Sequence, residues 1–328
     1  MTEMNIEELH KKWDMVKSQD ILNGYKSIIL SKESIPNLFV GVDKHGIRCL
    51  IFSIKNAKRI DIKEIYRDKI NISYYEDLNI LIIPVEDKDY YEVFDHFILS
   101  VFNTIKNIKK TEEQLKLFYK IFNKWVNFFE PPYDDRLPQD SVRGLFGELY
   151  VLNNLLNNCT SDAIDYCLES WVGPYNKSHD FLLEEKDLEV KTKDASAVKV
   201  KLASEFQLDI ELGKMLNLIV VSISTDIHNG STLEDLFKMI KDAIYQNAGD
   251  VSIFLKALQQ LNVTINNISE YNNYRFSIQN IKIYDATSSD FPKIVPSNIP
   301  ESINTVRYYL NLTDLDDYLV EPDKYIWI

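Results

Sequence analysis

The chain is poor in several things at once. Of its 328 residues, 9 are glycine and 3 are cysteine. Cys49, Cys159 and Cys167 are odd in number and lack the paired spacing of a zinc site. They read as reduced thiols of a cytoplasmic protein, because disulfides persist only in oxidising compartments. Asn-x-Ser/Thr matches such as Asn262-Val263-Thr264 then carry no meaning. Apolar runs near the roughly 18–20 residues that span a bilayer are missing, so no membrane partner is expected. The start, MTEMNIEELHKKWD, is polar and of mixed charge, unlike a secretory signal. Walker-type loops, Gly-x-Ser-x-Gly elbows and Gly-x-Gly-x-x-Gly turns do not occur. Nucleotide hydrolysis, serine hydrolysis and dinucleotide binding therefore have no support. His10, His45, His96 and His228 are scattered without ligand spacing. Positive charge is also short: 37 Lys and Arg stand against 50 Asp and Glu, a net charge of −13.

What is present is a globular composition, 45% hydrophobic and 12% aromatic, which can bury a real core. The length suits two domains or one large one. Residues 5–30 read as one or two helices. Strand-like runs follow at 37–42, 47–53, 70–75 and 78–85, with Asp43-Lys44-His45-Gly46 as a hairpin turn. A helix over 90–106 has Val93, Phe94, Phe97, Ile98, Val101 and Ile105 at helical spacing. This block, 1–108, reads as an N-terminal α+β domain, and 109–328 as a second domain.

Thr111 is a plausible N-cap for a helix through Phe129, stopped by Pro131 and Pro132. The next helix, from Asp140 to Asn157, carries an apolar stripe of Val142, Leu145, Phe146, Leu149, Leu152 and Leu156. Two of the few glycines, Gly144 and Gly147, lie inside it at about 1 kcal/mol each relative to alanine. They point to close approach of this helix to another backbone. Glu148, on the flank of the stripe, would then come near a sheet, or else pair with Arg143 or solvent. Val198–Leu202 and Leu216–Ser224 read as strands, the second as a central strand covered on both faces. Beyond them come helices over 232–246 and 251–261, a strand pair at 274–284 and 306–312, a small helix over 314–319 and an aromatic tail. Asp314-x-Asp316-Asp317 lacks the glycine of a calcium loop.

The chemistry concentrates in His179–Lys191, HDFLLEEKDLEVK. Read as a hairpin, it has strands 180–183 and 188–192 joined by the charged turn Glu184–Asp187. Leu183 then opposes Leu188, Leu182 opposes Glu189, Phe181 opposes Val190 and Asp180 opposes Lys191. Opposed residues share a face and successive residues alternate. One face is therefore core, and the other gathers Asp180, Glu189 and Lys191. Mg²⁺ takes oxygen ligands, usually one or two carboxylates plus water and a substrate phosphate. Asp180 and Glu189 could supply the carboxylates, and Lys191 a fixed positive charge beside the phosphate. The same pattern also describes a surface salt bridge worth about 0–1 kcal/mol. His179 reads as a structural histidine rather than a base. Trp171-Val172-Gly173-Pro174 reads as a packed turn before Asp180.

Asp180 followed by Glu189-Val190-Lys191 resembles the PD-(D/E)XK nuclease superfamily, with His179 where the superfamily name has proline. The order GLFGELYVLNNLL (144–156), Ser170-Trp171-Val172-Gly173-Pro174, His179-Asp180-Phe181, then Ser204 and Gln207-Leu208 resembles a bacterial branch associated with restriction and phage-defence genes. The resemblance covers about 110–225 with specific motifs. It implies an α/β fold with a restriction-endonuclease-like core, a mixed central sheet flanked by helices. It implies a Mg²⁺-dependent DNA endonuclease, with Mn²⁺ as a substitute ion. Asp180 and Glu189 would bind the metal, Lys191 would position water and phosphate, and Glu148 would be an auxiliary ligand. Gln207, placed on a short helix, would contact DNA or water, or else cap that helix.

The net charge speaks against a free-standing DNA binder, which usually shows a basic face. Three answers stand open. Lys191, Lys193, Lys199 and Lys201 fall within eleven residues and could form a local basic patch. A basic partner subunit could hold the DNA. Or the chain binds no DNA and is a non-catalytic subunit of a larger restriction or defence complex. A homodimer would suit cleavage of both strands, but no residue identifies a dimer face.

Overall fold

The computed structural model describes residues 4–17, 24–54, 62–67, 69–129, 136–303 and 305–320. The expected aromatic tail lies largely outside them. Contacts divide the chain into two compact units, Met1–Pro131 and Pro132–Ile328.

The first unit begins with α1 (Ile6–Lys17) and continues with β1 (Tyr25–Ile29), β2 (Leu38–Asp43), β3 (Arg48–Ser53), β4 (Ile65–Tyr66), β5 (Asn71–Tyr75) and β6 (Ile80–Val85). These strands form one antiparallel sheet in the order β1-β2-β3-β6-β5-β4. The expected turn at 43–46 closes β2 onto β3, with Gly46 in the left-handed region at φ 80°. The second helix expected within 5–30 is instead the strand β1. Gly24 turns the chain at φ 75°, and the Ser27-Ile28-Ile29 stretch pairs with β2. Gly41 permits that pairing, since a Cβ there would lie 2.9 Å from the Lys26 carbonyl oxygen.

Helices α2 (Tyr91–Ile105) and α3 (Thr111–Trp125) pack together in this unit. Their seam is aromatic: the Phe97 ring lies 6.4 Å from Phe118 and 6.1 Å from Phe122, mostly edge to face. α3 begins at Thr111 with Lys110 in the cap position. A boundary at 108/109 would assign α3 to the second domain, but its packing on α2 puts it in the first unit.

The second unit holds α4 (Gln139–Asn158), α5 (Ile164–Ser170), β7 (Phe181–Leu182), β8 (Lys186–Asp194), β9 (Lys199–Leu202), β10 (Met215–Thr225), α6 (Leu233–Gln246), α7 (Val251–Gln260), β11 (Phe276–Asp285) and β12 (Tyr308–Asn311). Its central sheet has the order β11-β10-β8-β7. β10 runs antiparallel to β11 and parallel to β8, so the sheet is mixed, as expected for the α/β class. β10 is paired on both edges and buried from Leu218 to Ser222, which accounts for its apolar run. The expected strand pair 274–284 with 306–312 does not form. β11 pairs with β10, while β12 pairs with β9 in a separate two-stranded ribbon. The inner face of that ribbon, Val200, Leu202 and Leu310, joins Leu216, Leu218, Val220 and Tyr284 in one core.

On the other face of the sheet, α4 packs against β8 and α6. The two helix glycines behave differently. A methyl group at Gly147 would collide with the Thr192 hydroxyl of β8, whereas one at Gly144 would meet open space. Close approach is thus real at Gly147, to a strand side chain rather than a backbone. Gly147→Ala should cost about 1–3 kcal/mol through overpacking. Gly144→Ala should gain up to about 1 kcal/mol from helix propensity. Urea unfolding of both variants measures this; equal effects would refute the packing argument.

Candidate active site

The hairpin forms with a tighter turn than expected. The Leu183 N–H donates to the Lys186 carbonyl at 3.0 Å, and the ladder pairs Phe181 with Leu188 and Leu182 with Asp187. The loop is therefore two residues, Glu184 and Glu185, and the register moves by two from the expected one. An even shift leaves the faces unchanged. Phe181, Leu188 and Val190 are buried on the core side, and Glu189 and Lys191 share the other. Two details change. Asp180 stands opposite Glu189 rather than Lys191, its N–H donating to the Leu188 carbonyl at 3.1 Å. Asp187 leaves the turn and joins the functional face.

Each carboxylate is held differently. Asp180 Oδ2 accepts the Val190 N–H at 2.7 Å. Glu189 is 1% exposed; its Oε1 accepts the Lys191 ammonium at 2.5 Å, and its Oε2 is buried with no hydrogen-bond partner. Glu148 Oε2 accepts the Trp171 indole N–H at 2.9 Å. A Cβ on Gly173 would lie 2.8 Å from Glu148 Oε2 and 3.0 Å from Asp180 Oδ1. The two carboxylates therefore face each other across this glycine. Glu148, Asp180 and Lys191 keep a partly exposed edge.

Crowding shifts the titration of the whole cluster. Burial, with the Asp180 charge, pushes Glu148 up to about 8; the Trp171 donor and Lys191 oppose this. Glu189 is raised well above the usual carboxylate range by burial and by Asp180, against the pull of Lys191. Asp180 is raised by burial, with Lys191 and the Val190 N–H working the other way. For Lys191, burial works against the charge, but Glu189, Asp180 and Glu148 outweigh it and the ammonium is held more firmly. One cation serves three carboxyls.

Asp187 has a neighbour beside each oxygen, although its Oδ2, like Glu189 Oε2, has no hydrogen-bond partner. Its Oδ1 lies 3.0 Å from the Lys214 ammonium, and its Oδ2 lies 3.3 Å from His179 Nδ1. His179 is thus a packing partner of Asp187 on a fully buried pair. Arg143 pairs with Asp140 at 3.7 Å, not with Glu148. Gln207 sits in a turn rather than a short helix, and its Oε1 accepts the Ala203 N–H at 2.6 Å. That contact closes the turn and does not join Gln207 to the cluster.

The residues to which the sequence reading gave no role in the site are Trp171, Gly173 and Tyr308. Trp171 was expected only to pack, and it is also the donor that orients Glu148. Tyr308, on the inner side of the ribbon, is near enough to Glu189 and Lys191 to feel both charges. No one-dimensional signal marks Tyr308. Trp171 and Gly173 stand out in the sequence as part of the turn before Asp180, which marks their place but not their role. Farther along the same side of β8, a cleft of about 380 Å³ is lined by Lys193, Ser222, Lys282 and Tyr284 among others.

The donor set fits a hard divalent cation. It consists of carboxylate oxygens, one of them buried without a partner, and the surplus negative charge is what such an ion would offset. Among the described residues, no group of three or more His, Cys, Asp or Glu side chains is placed to hold a metal ion. A Mg²⁺ site of one or two carboxylates completed by water and phosphate needs no such group.

The raised carboxyls have a stability consequence. The folded chain holds protons that the unfolded chain releases, between the ordinary glutamate value of 4.5 and about 8 for Glu148. Metal-free stability therefore falls as pH rises through that window and levels off above it. Thermal melts in EDTA should show this decline, Glu148→Gln should flatten it, and Mg²⁺ should stabilise more at the alkaline end. A decline of equal slope in Glu148→Gln would remove this role from Glu148.

The model of the family described as "Putative PD-(D/E)XK family member, (DUF4420)" matches residues 6–313. No curated protein and no solved structure matches the chain.

Proposed function

The chain belongs to this PD-(D/E)XK family, and on that footing we propose that it is a Mg²⁺-dependent endonuclease acting on DNA. The observation that carries the proposal is the buried Glu189 carboxylate. One of its oxygens is bound to Lys191 and the other has no partner, on the face that also holds Asp180. An unpaired buried acceptor costs about 1–3 kcal/mol, and a cation bound between Glu189 and Asp180 would recover that cost.

In this reading Asp180 and Glu189 hold the cation and Glu148 assists. When bound, Mg²⁺ would lower the pKa of its water and offset charge on the phosphate. The chain's own residues supply the rest. The Val190 N–H fixes one oxygen of Asp180, so the other is free to face the substrate. Trp171 fixes Glu148 in the same way. Lys191, kept charged by its three acidic neighbours, places a positive charge beside the phosphodiester as negative charge develops. The cytoplasmic setting, a role in bacterial restriction or phage defence, action as a homodimer and a need for other subunits are part of the same proposal.

A second reading has one observation in its favour. The net charge of −13 suits a non-catalytic subunit of a larger complex. Plasmid cleavage by the purified chain with Mg²⁺ or Mn²⁺ at low salt separates the two. Asp180→Ala and Lys191→Ala should each lower the rate at least about a hundredfold, the scale for loss of a charge-stabilising group. Both variants should keep their fold. Cleavage that survives both substitutions would place the chemistry elsewhere, and none by wild type would favour the subunit.

Positioning has its own test. Trp171→Phe removes the donor that holds Glu148 down, so the rate should fall about tenfold and the pH–rate profile should move to higher pH. Gly173→Ala should lower the rate more than it lowers Tm, by pushing Glu148 and Asp180 off their positions. An unchanged profile in Trp171→Phe would mean that the indole only packs.

A further inference from the structure

The ribbon of β9 and β12 has two unlike faces. Its inner side is core: Val200, Leu202 and Leu310 pack with Leu218 and Val220, the β10 residues that pair with Glu189 and Lys191. Its outer side presents Lys199, Lys201, Tyr309 and Asn311, all exposed, with Tyr309 opposite Lys201 and Asn311 opposite Lys199. Arg307, just before β12, is exposed as well. The Lys199 ammonium lies 4.6 Å from the centre of the Tyr309 ring, which stays 61% exposed. Neither strand contains an acidic residue, although acids outnumber bases in the chain by 50 to 37.

We propose that the outer face of the β9–β12 ribbon is the surface that receives the substrate, and that the substrate is a DNA duplex entered through its major groove. The proposal rests on the nuclease reading and names its docking surface. Charge complementarity selects a polyanion: three cations gather on one small face of an acidic protein. Shape selects the duplex. A four-residue strand is about 13 Å long and two paired strands stand about 5 Å apart. The major groove, about 12 Å wide, admits such a ribbon. A surface for single strands would offer successive aromatic platforms, and this face has one. Lys199, Lys201 and Arg307 reach phosphates, while Tyr309 and Asn311, between them, reach base edges. The ribbon's inner side covers the β10 residues that pair with Glu189 and Lys191, so a duplex held on the outer face stands one strand layer from that cluster and would reach it past the ribbon's edge.

The test is fluorescence-anisotropy binding of the full chain to a 20-base-pair duplex in EDTA, across a range of salt, so that binding is read without cleavage. The triple variant Lys199→Ala/Lys201→Ala/Arg307→Ala should bind at least tenfold more weakly. Its slope of log K against log salt should be shallower by about 2–3, at roughly 0.9 per lost phosphate contact. Tyr309→Ala should weaken binding with the slope unchanged. Lys109→Ala/Lys116→Ala/Lys120→Ala, three exposed lysines of the first unit, should leave both affinity and slope as in wild type.

Equal losses in the two triple variants, or none in the ribbon variant, would overturn the proposal. So would the absence of duplex binding by wild type, or tighter binding to the matching single strand or RNA. Plasmid cleavage by wild type and Asp180→Ala, run on the same preparations, reports on the nuclease reading separately. Asp180-dependent cleavage with no ribbon effect would sink the ribbon alone.

Discussion

The constraint on which this site depends is the confinement of three carboxyls beside one ammonium, away from most of the water. Two unit charges about 4 Å apart interact by about 4 kcal/mol at an effective dielectric of 20. Glu148, Asp180 and Glu189 cannot all be ionised there without a large penalty. The molecule meets this with protons, with Lys191 and with single hydrogen-bond donors, one each from Trp171 and Val190. The Glu189 oxygen left over is the gap in that compensation. A divalent cation would fill it more completely than any side chain present. The nearby Asp187 has Lys214 on one oxygen, while its other oxygen, close to His179, is also left without a hydrogen-bond partner.

The rest of the second unit serves this confinement. β8 is held by the parallel β10, which sets Glu189 beside Leu218 and Lys191 beside Val220 on the face under the ribbon. From the opposite face, Gly147 lets α4 come down onto Thr192. Glu148, the next residue, is thereby carried to the same edge as Asp180. Gly173 then allows both carboxylates to share one spot. Small residues thus shape the site, Gly147 from behind the sheet and Gly173 between the acids: each lacks a methyl group that would hold them apart.

The acidic balance looked like the main objection to a nucleic-acid substrate. Net charge is a sum, however, and a substrate meets a surface. The positive charge that the chain has is uneven. β8 carries Lys191 and Lys193, and the ribbon carries Lys199 and Lys201 on one face. An acidic remainder is compatible with a local basic face and discourages polyanions from settling elsewhere.

Some of this was legible in one dimension, and the reason is periodicity. Alternation along a strand is strictly two, so Asp180, Glu189 and Lys191 fall on one face whatever the turn length, provided the register changes by an even number. That is why the faces were readable while the turn was not. The stripe of α4 and the apolar run of β10 were readable for the same kind of reason. The segment after Gly24 was misread because short apolar runs suit helix and strand alike, and pairing with β2 decided it. Partnership between distant segments has no local signature. That β12 would join β9 rather than β11, that the Trp171 indole would hold Glu148, and that the ribbon would pack over the β10 residues paired with Glu189 and Lys191 depend on chain segments brought together only by packing. The sequence by itself determined which residues share a face, because that follows from backbone geometry. The tertiary structure alone decided which faces meet and how far each charge is taken from water, because burial and contact are properties of the assembled core.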